Sequence, residues 1–464
     1  MNEPQDGKEV RGLDFDMNMV RIENLCCREV QEHMTENQES WKRAGYYLEH
    51  STAKYHGNTV YSLYIPKIFT QKDVAHIKWI SETMAGIMVK AMKEYMKNPE
   101  YRKLFGFDKS YEELMLIDPG YRDILPVCRV DIFLDERNGS FKFCELNTDG
   151  TSAMNDDREL NNAAGLLTLV RSIRKEYDLE PFELFDTLTE RFLENYKTYL
   201  YRVERPTVAI VDFPELGCSL FEFEEFRKSF ERHGIKAIVA DIRKLRFDGE
   251  KLTAHDGTKI DLIYRRAVTS DIMKYKDEAA DFINAVKSHK VCVMGNFITQ
   301  TVHDKRFFIV LRDEATKRIL TDDENRFIEE HVPYTAGLTD DSAEELDLYN
   351  NKDRWLLKPS NGYGARGIYA GIDHNEKNWA ELIDRYKGNG YIVQEFIKPY
   401  QSKNIDFEMK DREIKFRDYS NLTGLYVYCG KFAGVYARQS EVNIISDQYD
   451  ENDVAAMQLL PKKV

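Results

Sequence analysis

A glycine-rich segment late in the chain constrains the fold more than any other feature. The six residues from Gly362 to Gly367 read G-Y-G-A-R-G and fit G-x-G-x-x-G, which in dinucleotide-binding folds follows a strand and opens a helix. Here an extended run, residues 368–372, follows instead, so the segment is expected to join two strands. Such a flap can also cover phosphates, because backbone N–H groups without side chains close over a polyanion. A dehydrogenase is therefore disfavoured.

The length and net charge of the chain limit its number of domains and its possible partners. The chain has 464 residues, enough for two or three packed units. Its 66 Lys and Arg against 80 Asp and Glu give a net charge of −14, which argues against nucleic acid as a partner. No apolar run approaches the length of about eighteen residues that a membrane span needs, and the polar, acidic start does not resemble a signal peptide. We therefore expect a cytoplasmic protein without membrane contact.

Changes in pattern predict an α/β (α+β) chain of four parts. From Thr70 the pattern becomes helical: Thr70 and Asp73 can form a capping box, and Ile77, Ile80 and Met84 repeat at helical spacing. Alternating strand and helix patterns further on predict a parallel sheet. The expected parts are a helical region at 1–120, strands and helices at 121–200, a small α/β domain at 201–300, and alternating helices and strands at 301–464.

Two β-rich runs, residues 127–135 and 140–147, flank Asn138-Gly139, a strong hairpin cue. By strand alternation, the side chains of Phe141, Phe143, Glu145 and Asn147 are predicted to share one face, with Asp131 beside them on the neighbouring strand. Carboxylate and amide oxygens are ligands that Mg²⁺ prefers. On this pattern alone, a metal site and a solvated hairpin edge both stay open.

A lysine and an apolar strand flank the glycine-rich segment. Lys358 precedes the segment, where its ammonium can reach a phosphate as a point charge. After the segment, residues 391–397 form an apolar run that carries Gln394 and Glu395, as expected of a strand that reads one edge of an adenine. A lone lysine is more often a surface residue, but the combination points to a nucleotide site.

These motifs together resemble the ATP-grasp superfamily, whose members hold ATP between two α+β subdomains and join a carboxylate to an amine. The R-x-D of residues 129–131 and the E-x-N-x-D of residues 145–149 precede the nucleotide strand here. That order resembles the circularly permuted ATP-grasp proteins, most closely the synthetase portion of the glutathionylspermidine synthase family. The resemblance covers residues 120–165 and 290–450, and it implies that residues 201–300 are a pre-ATP-grasp-like domain and 301–464 the nucleotide-binding subdomains.

The resemblance implies roles for matching residues. The implied Mg²⁺ ligands are Asp131, Glu145 and Asn147. The implied ATP-binding residues are Lys305, Lys358, Gly362, Tyr363, Gly364, Gln394, Glu395, Phe396 and Ile397. Arg129 and Arg438 are the implied catalytic arginines, and Thr151 and Ser152 the implied substrate contacts.

The implied activity is an ATP- and Mg²⁺-dependent C–N ligase that forms an amide or peptide bond through an acyl phosphate. Its partners would be a small-molecule or peptide carboxylate and an amine acceptor, and a homodimer stays open. The amidase module that some family members carry is not seen, so a bifunctional enzyme is not expected. The alternative is a catalytically silent ATP-binding or partner-binding protein of the same fold.

Overall fold

The computed structural model describes residues 18–462 except 56, 217–218, 363–365, 409–412 and 447–449. The α-helices are α1 Met19–Glu32, α2 Met34–His50, α3 Gln71–Lys97, α4 Pro99–Arg102, α5 Lys109–Met115, α6 Met154–Ala164, α7 Thr168–Ile173, α8 Phe185–Tyr196, α9 Leu220–Arg232, α10 Thr269–Lys274, α11 Ala280–Lys287, α12 Gln300–His303, α13 Phe307–Val310, α14 Glu314–Lys317, α15 Asp322–His331, α16 Asp340–Glu345 and α17 Glu376–Tyr386.

The strands are β1 Lys54–Tyr55, β2 Asn58–Thr59, β3 Lys67–Phe69, β4 Val127–Leu134, β5 Phe141–Asn147, β6 Tyr177–Pro181, β7 Val208–Asp212, β8 Ala237–Asp241, β9 Arg246–Phe247, β10 Leu252–Thr253, β11 Lys259–Ile260, β12 Leu262–Arg265, β13 Cys292–Met294, β14 Thr335–Gly337, β15 Trp355–Pro359, β16 Tyr369–Ala370, β17 Tyr391–Glu395, β18 Gln401–Ile405, β19 Phe416–Tyr428, β20 Lys431–Ser440, β21 Asn452–Val454 and β22 Ala456–Pro461. The predicted mixed α/β class is confirmed.

The largest sheet unites two distant parts of the sequence. Its strand order is β21-β20-β19-β4-β5, and β18 pairs with β19 as a sixth strand. Strand β4 is antiparallel to β19 on one side and to β5 on the other. Strands β4 and β5 therefore share one sheet with β18, β19, β20 and β21, so side chains from both parts of the sequence can meet on it.

The predicted hairpin between β4 and β5 is confirmed, but its side-chain pattern differs from simple alternation. Asp131 pairs with Glu145 and the next residue, Ile132, pairs with Phe143, so Cys144 is an extra residue that forms a β-bulge. The bulge reverses the faces beyond it, and Leu146 joins the core that holds Phe143. The prediction that one face carries Phe141, Phe143, Glu145 and Asn147 is therefore wrong.

Helix α3 covers this sheet with an apolar face. Thr70 and Asp73 form the predicted capping box at its start. Ile77, Ile80 and Met84 are fully buried in the main core, together with apolar side chains of β4 and β19. The methionines of this helix serve as core filler, as the helical spacing indicates.

The predicted small parallel sheet is also confirmed. Strands β13, β12, β7 and β8 lie side by side in that order, and every neighbouring pair is parallel. Arg265 ends β12, and Arg266 follows it at the carboxyl edge of the sheet. This edge faces the loop that follows β5, as the contacts described below establish.

A second antiparallel sheet carries the glycine-rich segment. Its order is β14-β17-β15-β16, and β15 and β16 pair across the segment, as the strand–loop–strand prediction required. Trp379 and Ile383 of α17 are fully buried against it. Among residues 18–462 with the gaps given above, no helix has the length and apolarity needed to cross a membrane.

Candidate active site

The two arginines and the aspartate predicted for catalysis and metal binding meet on the largest sheet. Arg129 donates from Nε and Nη2 to the two carboxylate oxygens of Asp131, at 2.7 and 3.0 Å. Arg438 reaches the same carboxylate from β20, with Nη2 at 2.5 Å from Oδ2. Both guanidinium groups also lie over the ring of Tyr436, at 5.2 and 5.3 Å from its centroid. Asp131 is thus fully buried, with a guanidinium partner at each of its carboxylate oxygens.

Gly424 on β19 makes this close approach possible. A Cβ atom at that position would lie 2.7 Å from Cδ of Arg129 and 2.9 Å from Oδ1 of Asp131. Any side chain there would push the ion pair apart. The glycine was not singled out in the sequence, because its role depends on a pairing between residues nearly three hundred positions apart.

Glu145 and Asn147 lie beside this pair, as predicted. The side-chain amide of Asn147 donates to Oε1 of Glu145 at 3.1 Å and to Oδ2 of Asp131 at 3.2 Å. Burial alone would raise the pKa of Glu145, but Lys305, Lys358 and Arg438 outweigh it and lower the pKa to about 2. Glu145 is therefore ionised at neutral pH.

The side chains of Asp131, Glu145 and Asn147 differ in what they offer to Mg²⁺. Glu145 offers an ionised carboxylate whose nearest ammonium lies 4.0 Å away, and its side chain retains 28% exposure. Asn147 offers an amide, whereas both oxygens of Asp131 already accept guanidinium bonds. Within the described ranges, no group of three His, Cys, Asp or Glu side chains can hold a metal by itself. The residues therefore fit an ion that takes some of its ligands from phosphates, as Mg²⁺ does.

Two buried lysines converge on Glu145, Lys358 from β15 of the second sheet and Lys305 from the loop between α12 and α13. Lys305 donates to the carbonyl of Gly362 at 2.8 Å, at the start of the glycine-rich segment, and its Nζ is the ammonium at 4.0 Å from Glu145. Lys358 donates to Oε1 of Gln394 at 3.0 Å and to the carbonyl of Cys144 at 3.3 Å. Burial lowers the pKa of Lys305, and Glu145 opposes that effect. The structure thus brings together the predicted phosphate lysines, the segment and the predicted metal strand.

The predicted adenine strand is β17 and the residues after it. The amides of Glu395 and Phe396 donate to the carbonyls of Tyr334 and Arg354, at 2.9 and 2.8 Å. Ile397 follows these two residues, outside the strand. The side-chain amide of Gln394 has a partner at each end: its Oε1 accepts from Lys358, and its Nε2 donates to the hydroxyl of Thr335 at 2.9 Å. Tyr363 and Gly364 lie outside the described residues.

The loop after β5 is held mainly through its backbone. Thr151 donates its hydroxyl to the carbonyl of Asn147 at 2.8 Å. The carbonyl of Ser152 accepts from Arg129 at 3.2 Å and from the hydroxyl of Tyr426 at 2.7 Å. Of the two predicted substrate residues, Ser152 therefore contacts Arg129, and Thr151 precedes it in the same loop. Tyr426 is a contact that the sequence did not reveal.

The small parallel sheet fixes the same loop. Arg265 donates to Asp149 at 2.5 Å, and Arg266 donates to Glu222 at 2.5 Å. Both arginines at this edge of the sheet thus form buried salt bridges. The second oxygen of Glu222 accepts the backbone amide of Asn155 at 3.0 Å, so both pairs position the loop.

No protein family model matches the sequence of this chain. A segment is 21% identical over 167 residues to the ATP-grasp enzyme ankG of Aspergillus thermomutatus, covering 32% of this chain and 34% of that protein. The chain thus spans about a third of the length of that curated relative.

Among solved structures, the chain aligns with a glutathione synthetase like-effector (GSS30) from Globodera pallida. The TM-score is 0.59 at 14% identity, over 91% of this chain and 96% of that one. The chain shares its fold with a glutathione synthetase-like protein. A putative gamma-glutamylcysteine synthetase from Methylobacillus flagellatus KT aligns at a TM-score of 0.43 and 10% identity, over 81% and 88% of the two chains.

Proposed function

We propose that this protein is an ATP-dependent carboxylate–amine ligase with a permuted ATP-grasp arrangement. The observation that carries the proposal is the convergence of Lys305, Lys358 and Glu145 at the start of the glycine-rich segment, next to the pair of arginines on the largest sheet. A polyphosphate needs such fixed positive charge. The partial sequence match to an ATP-grasp enzyme supports the same assignment.

The proposed reaction begins when a carboxylate oxygen attacks the γ-phosphorus of ATP. The bond from that phosphorus to the β-γ bridging oxygen breaks, and an acyl phosphate and ADP result. An amine then attacks the acyl carbon, and phosphate leaves. Lys305 and Lys358 hold the phosphates, while Arg129 and Arg438 stabilise the charge on the transferring phosphoryl group and then on the tetrahedral oxyanion.

Asp131, Glu145 and Asn147 are proposed to hold Mg²⁺ with the nucleotide. When bound, the ion would neutralise phosphate charge during phosphoryl transfer. Asp131 serves a second purpose in this scheme, because its ion pairs keep both arginines oriented. The finer assignment, to a glutathionylspermidine synthase-like cytoplasmic enzyme, rests on the sequence resemblance. The division of the chain into four parts is proposed on the same basis.

The competing hypothesis is a silent nucleotide-binding protein of the same fold. It is favoured by one observation: both oxygens of Asp131 already accept bonds from guanidinium groups, so a metal must share Oδ1 with Arg129 or displace one of these bonds. Such a protein would bind ATP but would not release ADP with any carboxylate and amine.

One experiment separates the two. ADP release is measured with Mg²⁺ across a panel of amino acids, peptides and polyamines, beside calorimetric titration of ATP with and without Mg²⁺. Substrate-dependent ADP release supports the ligase, and ATP binding without release supports the silent protein. Glu145→Gln should reduce ligase turnover by about 100-fold or more if it holds the metal. Binding of NAD but not of ATP would contradict both.

A further inference from the structure

Gly362 and Gly367, the two ends of the glycine-rich segment, lie against one pair of side chains in the second sheet. Pro359 of β15 is opposite Tyr391 of β17 in the antiparallel ladder. A Cβ atom at Gly362 would lie 3.3 Å from Cγ of Pro359, and a Cβ atom at Gly367 would lie 2.6 Å from Oη of Tyr391. This cross-strand pair therefore contacts the segment at both ends.

The absence of a side chain at Gly367 allows the tyrosine hydroxyl to come this close to the backbone. The φ angle of Gly367 is +74°, in the left-handed region that residues with a Cβ atom rarely adopt. The hydroxyl of Tyr391 occupies the space that a side chain at this position would need. Gly367 thus has two independent reasons to be a glycine, and one of them is Tyr391.

Two further tyrosines hold the ring of Tyr391 in place. It stacks on the ring of Tyr386 in α17, with the centroids 4.1 Å apart and an angle of 19° between the planes. The ring of Tyr386 stacks in turn on that of Tyr369, at 5.5 Å and 20°, and their hydroxyl oxygens are 3.0 Å apart. Tyr369 begins β16, two residues after Gly367. The stack therefore connects α17 and β17 to the strand that follows the segment.

The first end of the segment is held by a residue of the proposed nucleotide site. The backbone amide of Lys305 donates to the carbonyl of Ser360 at 2.8 Å, and its ammonium donates to the carbonyl of Gly362. An ammonium that turns to a phosphate can release this carbonyl. The contact between Tyr391 and Gly367 uses no group assigned to ATP, so it can persist when the nucleotide is bound.

We propose that Tyr391 is a positioning residue for ATP, which fixes Gly367 so that the backbone of the glycine-rich segment is ordered before the phosphates bind. The inference rests on the proposed function and adds to it a residue that acts through the segment. Glycine loses more conformational freedom on ordering than any other residue, and the segment has three glycines. Fixing one end beforehand reduces the entropy that is lost when ATP binds.

The first test is tryptic cleavage of the native full chain without ATP. Arg366 is exposed, and trypsin cuts the bond between it and Gly367, so the rate of this cut reports how firmly Gly367 is held. Tyr391→Phe keeps the stacked ring and removes only the hydroxyl. The cut, identified by fragment masses, should become about fivefold faster. Tyr349→Phe is the matched control, because it removes a hydroxyl bonded to Asp384 on α17, and its cleavage rate should equal that of the wild type.

The second test is calorimetric titration of ATP with Mg²⁺. Tyr391→Phe should bind ATP about tenfold more weakly than the wild type, and Tyr349→Phe should bind it as well as the wild type. Thermal unfolding of Tyr391→Phe should be nearly unchanged, since the ring stack remains. A purely structural tyrosine would show the reverse, with lower thermal stability and unchanged ATP affinity.

Gly367→Ala completes a double-mutant cycle. The added methyl group would meet the hydroxyl of Tyr391, so this variant should also lose about tenfold in ATP affinity. In the Tyr391→Phe background that hydroxyl is absent, and Gly367→Ala should weaken ATP binding by less than about threefold further. Losses that multiply in the double variant would overturn the proposal, because the two changes would then act separately.

Two other results would overturn the positioning role of Tyr391. One is an unchanged cleavage rate in Tyr391→Phe, and the other is faster cleavage with unchanged ATP affinity. If the wild type binds no ATP, the nucleotide site and the ligase proposal fail together. The cleavage rate alone then decides whether Tyr391 fixes Gly367.

Discussion

Arg265 at the end of β12 and Asp149 in the loop after β5 form a salt bridge that is almost fully buried, with 1% and 0% of the two side chains exposed. The second oxygen of Asp149 accepts the backbone amide of Thr269 at 2.6 Å. The loop beside the arginine pair is therefore attached to a different sheet from the one that carries the arginines. The carboxyl edge of the small parallel sheet acts as its support.

Replacing Asp149 by Asn should be strongly destabilising. The change leaves Arg265 as a buried cation without its counter-charge, for which a loss of about 3–5 kcal/mol is expected. Urea denaturation of the full chain measures it through the shift in midpoint. Asp323→Asn, which removes a carboxylate from an exposed pair with Arg326, should change the midpoint little. Similar midpoints for the two variants would contradict the role of the buried bridge.

Replacing Lys358 by Met should weaken ATP binding. The substitution removes the ammonium group and with it a charge-assisted bond to phosphate. That bond is worth about 1.5–3 kcal/mol, or about 10- to 100-fold in ATP affinity. Calorimetric titration of ATP checks this. The matched control is Lys377→Met, which removes a lysine that is 84% exposed on α17. Equal ATP affinity in both variants would remove Lys358 from the nucleotide site.

Gly424→Ala should impair turnover and also destabilise the fold. The added methyl group would meet Arg129 and Asp131 at distances below 3.0 Å, so the ion pair must separate. We expect a fall in ADP release of about tenfold or more, since misplaced charge weakens transition-state stabilisation. Gly86→Ala in α3 is the control, because a Cβ there meets nothing within 4 Å and alanine favours helix. Normal activity in Gly424→Ala would show that catalysis does not depend on the ion pair between Arg129 and Asp131.

Asp157 in α6 is 1% exposed, and neither of its carboxylate oxygens has a hydrogen-bond partner among the described residues. Asp157→Asn should therefore stabilise the protein in a pH-dependent way. A carboxyl whose pKa is raised in the folded state contributes stability below its unfolded pKa and loses that contribution as the pH rises through the folded value. The variant should therefore be more stable than the wild type at pH 8, by about 1–3 kcal/mol, with little difference near pH 4. Thermal unfolding at the two pH values measures this, and the opposite order would contradict the assigned burial.

Local patterns predicted most elements of the fold. Asn138-Gly139 marked the hairpin, and the capping box at Thr70 marked α3. The run after Gly367 was correctly predicted to begin as a strand, but the strand ends at Ala370 and a 3-10 helix, Gly371–Asp373, follows it. The bulge at Cys144 was missed, because one inserted residue leaves no distinct mark in an alternating sequence. It is this bulge that turns Glu145 away from the core.

The candidate site was predicted less completely than the fold. Motifs identified Asp131, Glu145 and Lys358, since each lies in a recognisable local run. Gly424 and Tyr426 became visible only from tertiary contacts. Their significance depends on burial and on pairing between distant strands, and neither property is encoded by the residues on either side.

The pairing of β4 with β19 also determines when the chain can fold during synthesis. Asp131 lies opposite Gly424, and β22 pairs in parallel with β3. The ribosome must therefore synthesise the residues of β19, almost three hundred positions after β4, before the two strands can pair, and until then the apolar side chains of β4 lack this partner. We expect slow maturation after translation and a dependence on chaperones that a chain with local strand pairing would not have.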